Sequence, residues 1–257
     1  MEIIFYKYQG TGNDFVMVDD RQQLIDETDL IMIASLCDRR FGIGADGLIL
    51  IRNHKDYDFE MIYFNADGSQ SMCGNGARCA VAFSFFLGII SEKTHFLAID
   101  GQHEALIDGE LVHLMMGETT KVQKCGMDYF VDTGSPHHIR FVDNVASYPV
   151  LEEGKLIRHN EIYSPAGTNV NFVEKLTEDQ IFVRTFERGV EDETLSCGTG
   201  VTAAALVFAR DQSSAHVKIN TIGGQLSVKF DSNPDGTFKE VWLIGPAEQV
   251  YQGKINF

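Results

Sequence analysis

Proline and basic residues are both in short supply in this chain. Its 257 residues contain 5 prolines, and no low-complexity or Pro-, Gly- or Ser-rich stretch marks a linker. Lys and Arg number 21 against 37 Asp and Glu, a formal net charge of −16. A surface that acidic repels phosphate backbones and anionic lipid, which argues against nucleic acid and membrane as partners. Long apolar runs are missing too. The longest, Cys79–Ile90, is too short to span a bilayer and is broken by Ser84 and Gly88. The opening Met1-Glu2-Ile3-Ile4-Phe5-Tyr6-Lys7 lacks the basic and apolar regions of a secretion signal. Neither C-x-x-C nor H-E-x-x-H occurs, so no metal is expected. The 5 cysteines, an odd number without an export signal, read as reduced thiols of a cytoplasmic protein.

What is present is a globular composition, 44% hydrophobic, with short strands separated by turns from Ile3–Tyr8 to Val241–Ile244. Asp231–Gly236 has the turn chemistry of a hairpin loop. Residues 23–40 read as a helix with one apolar face. Ala77–Leu87 and Val201–Ala209 differ: they are apolar nearly all round, the mark of a helix buried on every side. Each follows a Cys-Gly-x-Gly turn, Cys73-Gly74-Asn75-Gly76 and Cys197-Gly198-Thr199-Gly200, and the two cysteines are 124 residues apart.

Other pairs recur at nearly that distance. Thr11-Gly12-Asn13 matches Thr133-Gly134-Ser135, and Phe64-Asn65 matches Phe186-Glu187, both at 122. Gly44–Leu50 matches Gly167–Val173 at 123. The shared offset implies an α/β (α+β) fold of two pseudo-symmetric domains, each a mixed strand barrel wrapped around a central buried helix. The expected segments are 1–117, carrying Cys73, and 118–248, carrying Cys197, with a C-terminal strand at 249–257 returning to the first domain.

A cysteine at the mouth of a buried helix has a chemical consequence. The first N–H groups of a helix lack internal partners, and the macrodipole adds positive charge there. Both favour a thiolate, and the same N–H groups can hold a carboxylate. Two equivalent halves facing one another would place a thiol on each side of a bound substrate. Inverting a stereocentre by proton transfer needs that arrangement, a base on one face and an acid on the other. Charge pushed from the carbanion onto the adjacent carboxylate would meet preorganised N–H donors.

At these residues the sequence resembles the diaminopimelate epimerase family over essentially its whole length. The motifs are Gly10-Thr11-Gly12-Asn13-Asp14-Phe15, Phe64-Asn65-Ala66-Asp67-Gly68, Met72–Cys79, Glu187-Arg188-Gly189 and Ser196–Gly200. The resemblance implies a homodimeric, cofactor-independent epimerase acting on a small amino-acid substrate, 2,6-diaminopimelate. It implies Cys73 and Cys197 as the proton-transfer residues. It implies Asn13, Asn65, Gly74, Asn75, Asn169, Glu187, Arg188, Gly198 and Thr199 as substrate contacts, with His137 and Glu187 supporting catalysis. Gly47 and Ser135 depart from the family pattern, where many members carry Gln and Asn.

Competing readings are weaker. Gly42-Ile43-Gly44-Ala45-Asp46-Gly47 fits G-x-G-x-x-G but precedes a strand, whereas a dinucleotide site follows one. Proline and hydroxyproline racemases resemble this pattern but usually carry His where this chain has Asn75. A non-catalytic amino-acid-binding protein is the alternative from another class. His137 and His138 are neighbours on a strand, so only one of them faces a site. Cys79 reads as core, and the acidic run Glu191-Asp192-Glu193 reads as a solvated loop.

Overall fold

The computed structural model describes residues 2–117 and 119–256. Met1, Glu118 and Phe257, which stand at limits of the expected segments 1–117, 118–248 and 249–257, lie outside the described residues. The chain forms two compact units, 1–114 with 245–257, and 115–244. The first begins with β1 (Glu2–Gly10), β2 (Asn13–Asp19), α1 (Leu30–Cys37), β3 (Gly47–Arg52), β4 (Phe59–Asn65) and α2 (Gly74–Phe86). β5 (Lys93–Ala98), β6 (Gly101–Asp108) and β7 (Leu111–Met115) follow. The second holds β8 (Gln123–Cys125), β9 (Asp128–Asp132), β10 (Pro136–Phe141), α3 (Val150–Arg158), β11 (Asn169–Lys175) and β12 (Gln180–Glu187). It continues through β13 (Asp192–Thr194), α4 (Gly198–Phe208), β14 (Ser214–Thr221), β15 (Gly224–Ser232) and β16 (Phe238–Pro246), and β17 (Glu248–Asn256) then pairs with β1.

The duplication appears as a repeated pairing scheme. β1–β2 and β9–β10 are antiparallel, with Gly10 opposite Asn13 and Asp132 opposite Pro136. β2–β3 and β10–β11 are parallel, with Phe15 opposite Gly47 and His137 opposite Asn169. β3–β4 and β11–β12 are antiparallel, with Leu48 opposite Phe64 and Val170 opposite Phe186. β4–β5 and β12–β14 are parallel again. These registers make Gly47 the counterpart of Asn169, at 122 residues. The 123-residue match of Gly44–Leu50 with Gly167–Val173 is therefore one position out of step with the strands.

Each set of strands encloses one helix, as the all-round apolar pattern required. α2 packs on β1–β4 and β6, and α4 packs on β9–β12, β14 and β15. Residues 200–207 of α4 are all buried, and none carries a charge. α2 closes on Gly88 at φ +69°, with the Ile89 N–H on the Ser84 carbonyl and the Gly88 N–H on that of Phe85, a Schellman motif.

Three local expectations change. The helix expected over 23–40 is reduced to α1, because Asp20 takes the N–H groups of Leu24 and Ile25, Asp26 takes that of Thr28, and Asp29 caps the helix at Met32. Both buried helices start three residues earlier than expected, so the Gly-x-Gly turns are their first turns and the cysteines their N-caps. The acidic run is not simply solvated: both Glu193 oxygens accept from Arg184 at 2.6 Å, and Glu191 pairs with Arg158. No helix among the described residues is long and apolar enough to cross a membrane.

Candidate active site

In the first unit the site is built on the mouth of α2. Cys73 is the extended N-cap, and the Gly76 N–H donates to its Sγ at 3.5 Å. Asn13 enters from the β1–β2 hairpin, whose two-residue loop has Thr11 at φ +52° and Gly12 at +86°, as a type I′ turn requires. Its Oδ1 lies 3.4 Å from Cys73 Sγ and 3.4 Å from Asn75 Nδ2. The orientation of that amide is fixed from behind, because Asn13 Nδ2 donates to Asp46 Oδ2 at 2.6 Å.

Asp46 belongs to a balanced cluster. Arg39 bridges Asp46 and Asp14, and Lys7 pairs with Asp14 and donates to the Gly44 carbonyl. Burial alone would raise Asp14, but the Arg39 and Lys7 hydrogen bonds overcome it and hold the carboxyl well below the usual range.

Asn65 ends β4. Its Nδ2 donates to the Ser69 carbonyl and to the hydroxyls of Ser69 and Ser71, and its Oδ1 accepts from Tyr63 Oη at 2.9 Å. Tyr63 also accounts for Gly47. A Cβ there would stand 2.4 Å from both the Tyr63 ring and the Phe64 carbonyl, so the place that Asn169 fills in the second unit is occupied here by an aromatic ring.

The second unit builds its counterpart on α4. Cys197 is the N-cap, with Sγ 3.5 Å from Thr199 Oγ1. The polarity of the contacts behind it follows from one buried amide. Asn171 Nδ2 donates to the His138 carbonyl, and its Oδ1 accepts from Thr185, so the same Nδ2 donates to His137 Nδ1 at 3.1 Å. The proton of His137 therefore resides on Nε2 and is given to Thr199 Oγ1 at 2.9 Å, leaving the threonine hydroxyl hydrogen for Cys197. His138 points the other way, to Tyr163 and Asp128.

Asn169 has every polar atom engaged, with Nδ2 on Ser135 Oγ and the Pro136 carbonyl and Oδ1 on the Arg188 N–H. Ser135 thus serves as its acceptor. The Arg188 guanidinium has no partner among the described residues. Glu187 accepts from Thr194 at 2.9 Å, and burial pushes its pKa up against that bond. Gly74 and Gly198 are the first residues of the two helices, directly after the cysteine N-caps.

His137 is wholly buried, and desolvation, helped by the Arg188 charge, pulls its pKa down to about 3. It is a neutral relay and not a base at neutral pH. In the unfolded chain it takes up a proton below ~6.5, so between that pH and about 3 the unfolded state binds more protons and acid destabilises the fold. The contribution approaches about 1.4 kcal/mol per pH unit. His137→Gln is expected to lose about 2–3 kcal/mol less stability than the parent between pH 7 and pH 4.5, measured by urea unfolding. Equal losses in the two proteins would refute the buried-neutral assignment.

Asp46, Tyr63, Asn171 and Thr133, which donates to the Thr199 carbonyl at 3.0 Å, were not singled out from sequence. Asp46 lies in the glycine-rich stretch that carries the repeat match and the dinucleotide-like pattern, neither of which assigns its side chain a role. Asn171 sits two positions beyond Asn169 on β11, hence on the same face, a signal that was available.

The family model for diaminopimelate epimerase matches residues 5–122 and 129–249. Proteins named diaminopimelate epimerase from Flavobacterium psychrophilum and Chlorobaculum tepidum are 49% and 45% identical to this chain, covering 97% and 96% of it and 99% of each relative. In fold the chain is similar to a Bacillus anthracis phenazine biosynthesis protein of the PhzF family, with a TM-score of 0.81 at 14% identity over 100% of both chains. It is also similar to a hydroxyproline epimerase from Agrobacterium vitis, with a TM-score of 0.69 at 14% identity over 99% of this chain and 92% of that one. Likeness at that identity speaks for the fold alone, whereas the model match and the close relatives span nearly every residue: this chain belongs to the diaminopimelate epimerase family.

Proposed function

We propose that this protein interconverts LL- and meso-2,6-diaminopimelate by inverting one α-carbon between two thiols, without a cofactor. The observation that carries this reading is the cysteine N-cap on the buried helix of each unit. One thiolate removes the α-proton, and the other cysteine delivers a proton to the opposite face. The roles exchange in the reverse direction. The carbanion places a second negative charge on the α-carboxylate, where first-turn N–H groups of α2 and α4 stabilise it.

The remaining residues divide by chemistry. Asn13, Asn65 and Asn75 offer amides around Cys73, and Arg188 with Glu187 supplies a charge pair suited to the distal amino-acid group of the substrate. Asn169 holds the Arg188 backbone in place, and the His137–Thr199 chain delivers a hydroxyl hydrogen to Cys197, favouring its thiolate. The reaction belongs to lysine and peptidoglycan-precursor biosynthesis, and we infer a cytoplasmic homodimer.

The test is incubation with LL-diaminopimelate in deuterated water. Formation of the meso isomer with deuterium at the inverted carbon is expected, unaffected by chelator or by added pyridoxal phosphate. Binding without exchange would leave an amino-acid-binding protein. Activity that vanished with chelator and returned with metal would overturn the two-thiol mechanism.

A further inference from the structure

Arg158 is the last residue of α3, the helix that packs on β11, β12 and β13. Gly154 allows the close approach, since a Cβ there would run into the side chain of Phe186, the residue before Glu187. The Arg158 side chain is only 13% exposed, and it crosses the backbone at Gly167, where a Cβ would overlap its guanidinium. From there the fork divides. Nη1 donates to the Ala166 carbonyl at 3.3 Å, in the loop that leads into Asn169. Nε and Nη2 hold Glu191 Oε1 at 3.1 and 3.0 Å, and His159 stands 3.4 Å from the other oxygen.

Glu191 in turn closes the segment that carries Arg188. Its N–H donates to the Glu187 carbonyl at 2.9 Å, and its Oε1 accepts from the Gly189 N–H at 3.1 Å. Asn169 Oδ1 takes the neighbouring N–H, that of Arg188, at 2.8 Å. Glu191 itself stands at φ +59°, a left-handed backbone that a glutamate seldom adopts. Two successive N–H groups of the turn are thus held by two side chains, and Arg158 grips the carboxylate of one and the loop ahead of the other. The first unit lacks this device. Its matching helix, α1, has no basic residue in its last turn, and the residue 122 positions before Arg188 is Ala66. The clamp exists where a cation has to be presented.

We propose that Arg158 is a positioning residue for ligand binding: by holding Glu191 and the Ala166 carbonyl together, it fixes the turn from which Arg188 reaches the substrate. The inference rests on the reading of Arg188 as a contact to the distal amino-acid group of diaminopimelate. Arg158 touches no reacting atom. Its loss therefore weakens binding alike in the ground and transition states, which raises KM and leaves kcat in place.

The experiment measures KM, kcat and calorimetric affinity for LL-diaminopimelate in the parent, Arg158→Met, Glu191→Asn, Arg188→Gln and the double variant Arg158→Met/Arg188→Gln. Arg158→Met is expected to raise KM about tenfold, the scale of one hydrogen bond to a charged group, with kcat within about twofold. In the Arg188→Gln background the same change should add nothing, because the turn then has no cation to present.

Glu191→Asn decides the matter even if Arg158→Met does not fold. It lies on an exposed turn, and asparagine tolerates the left-handed backbone at this position. The variant should melt within a few degrees of the parent and yet show a similar rise in KM. An unchanged KM in folded Arg158→Met or in Glu191→Asn, a loss confined to kcat, or an equal further loss with Arg188 already replaced overturns the proposal. Parent-like affinity in Arg188→Gln would instead overturn the reading of Arg188 as a ligand contact, and the proposal with it.

Discussion

Alanine at Cys73 or at Cys197 is expected to reduce isomer interconversion by about a thousandfold or more, the scale of losing a positioned acid or base. The two variants should not be inert in the same way. With one thiol left, that thiol can still remove a proton from the isomer whose α-hydrogen faces it and return a deuteron to the same face. Each variant is therefore expected to wash deuterium slowly into one isomer without producing the other, and the preferred isomer should differ between them. Alanine at Cys37 or Cys79 touches packing, and at Cys125 a hydrogen bond to Tyr163, and all three should leave turnover within about tenfold, or ~1.4 kcal/mol on the barrier. Substantial inversion by either active-site variant would falsify the assignment of one proton transfer to each cysteine.

Gly200→Ala is expected to disrupt the site of the second unit through a single added methyl. A Cβ there would lie 2.4 Å from Asn171 Oδ1 and 3.3 Å from Cys197 Sγ. Asn171 cannot retreat without releasing Thr185 or His137, since both depend on that amide. Overpacking of this kind costs about 1–3 kcal/mol. That corresponds to roughly 2–4 °C of melting temperature per kcal/mol in a domain of 150–250 residues, and somewhat more in a smaller one. Displacing Thr199 and Cys197 by about 1 Å should cost a further ~10²-fold in kcat. The matched change in the first unit, Gly76→Ala, meets only the Ile49 tip at 3.1 Å and the Phe15 ring edge at 3.4 Å, and should be the milder of the two. Equal melting temperatures and rates for the two variants would contradict the network drawn around Asn171.

The sequence disclosed the paired helices because their composition has no other use. A helix apolar on all sides, beginning at Cys-Gly-x-Gly, has to be enclosed, and meeting it twice implied duplication. It did not disclose β6, where Ala105 alone is buried and the alternation is weak. The helix expected over 23–40 failed because aspartate side chains compete with the helix for backbone N–H groups, and a periodicity argument is blind to that competition. At the site, residues within motifs could be named, but Asp46, Tyr63 and Asn171 act through the orientation of other side chains. Orientation is set by strand register, which exists only once the chain has folded.

The last strand has a consequence for the order in which this protein takes shape. β17 runs antiparallel along β1 from Glu2 opposite Asn256 to Gln9 opposite Glu248, and the Gly253 position leaves room for the Phe5 ring, which a Cβ there would approach to 2.7 Å. On the ribosome the second unit is a continuous segment and is free to close as soon as it emerges. The first unit, although β1 precedes the whole of the second in the chain, keeps one flank of β1 bare until β17 has followed it. An uncovered strand flank is where nascent chains pair with the wrong neighbour. A chain cut after residue 244 would thus carry the whole of the second unit but leave the first without its covering strand, with β1 as the segment in need of a chaperone.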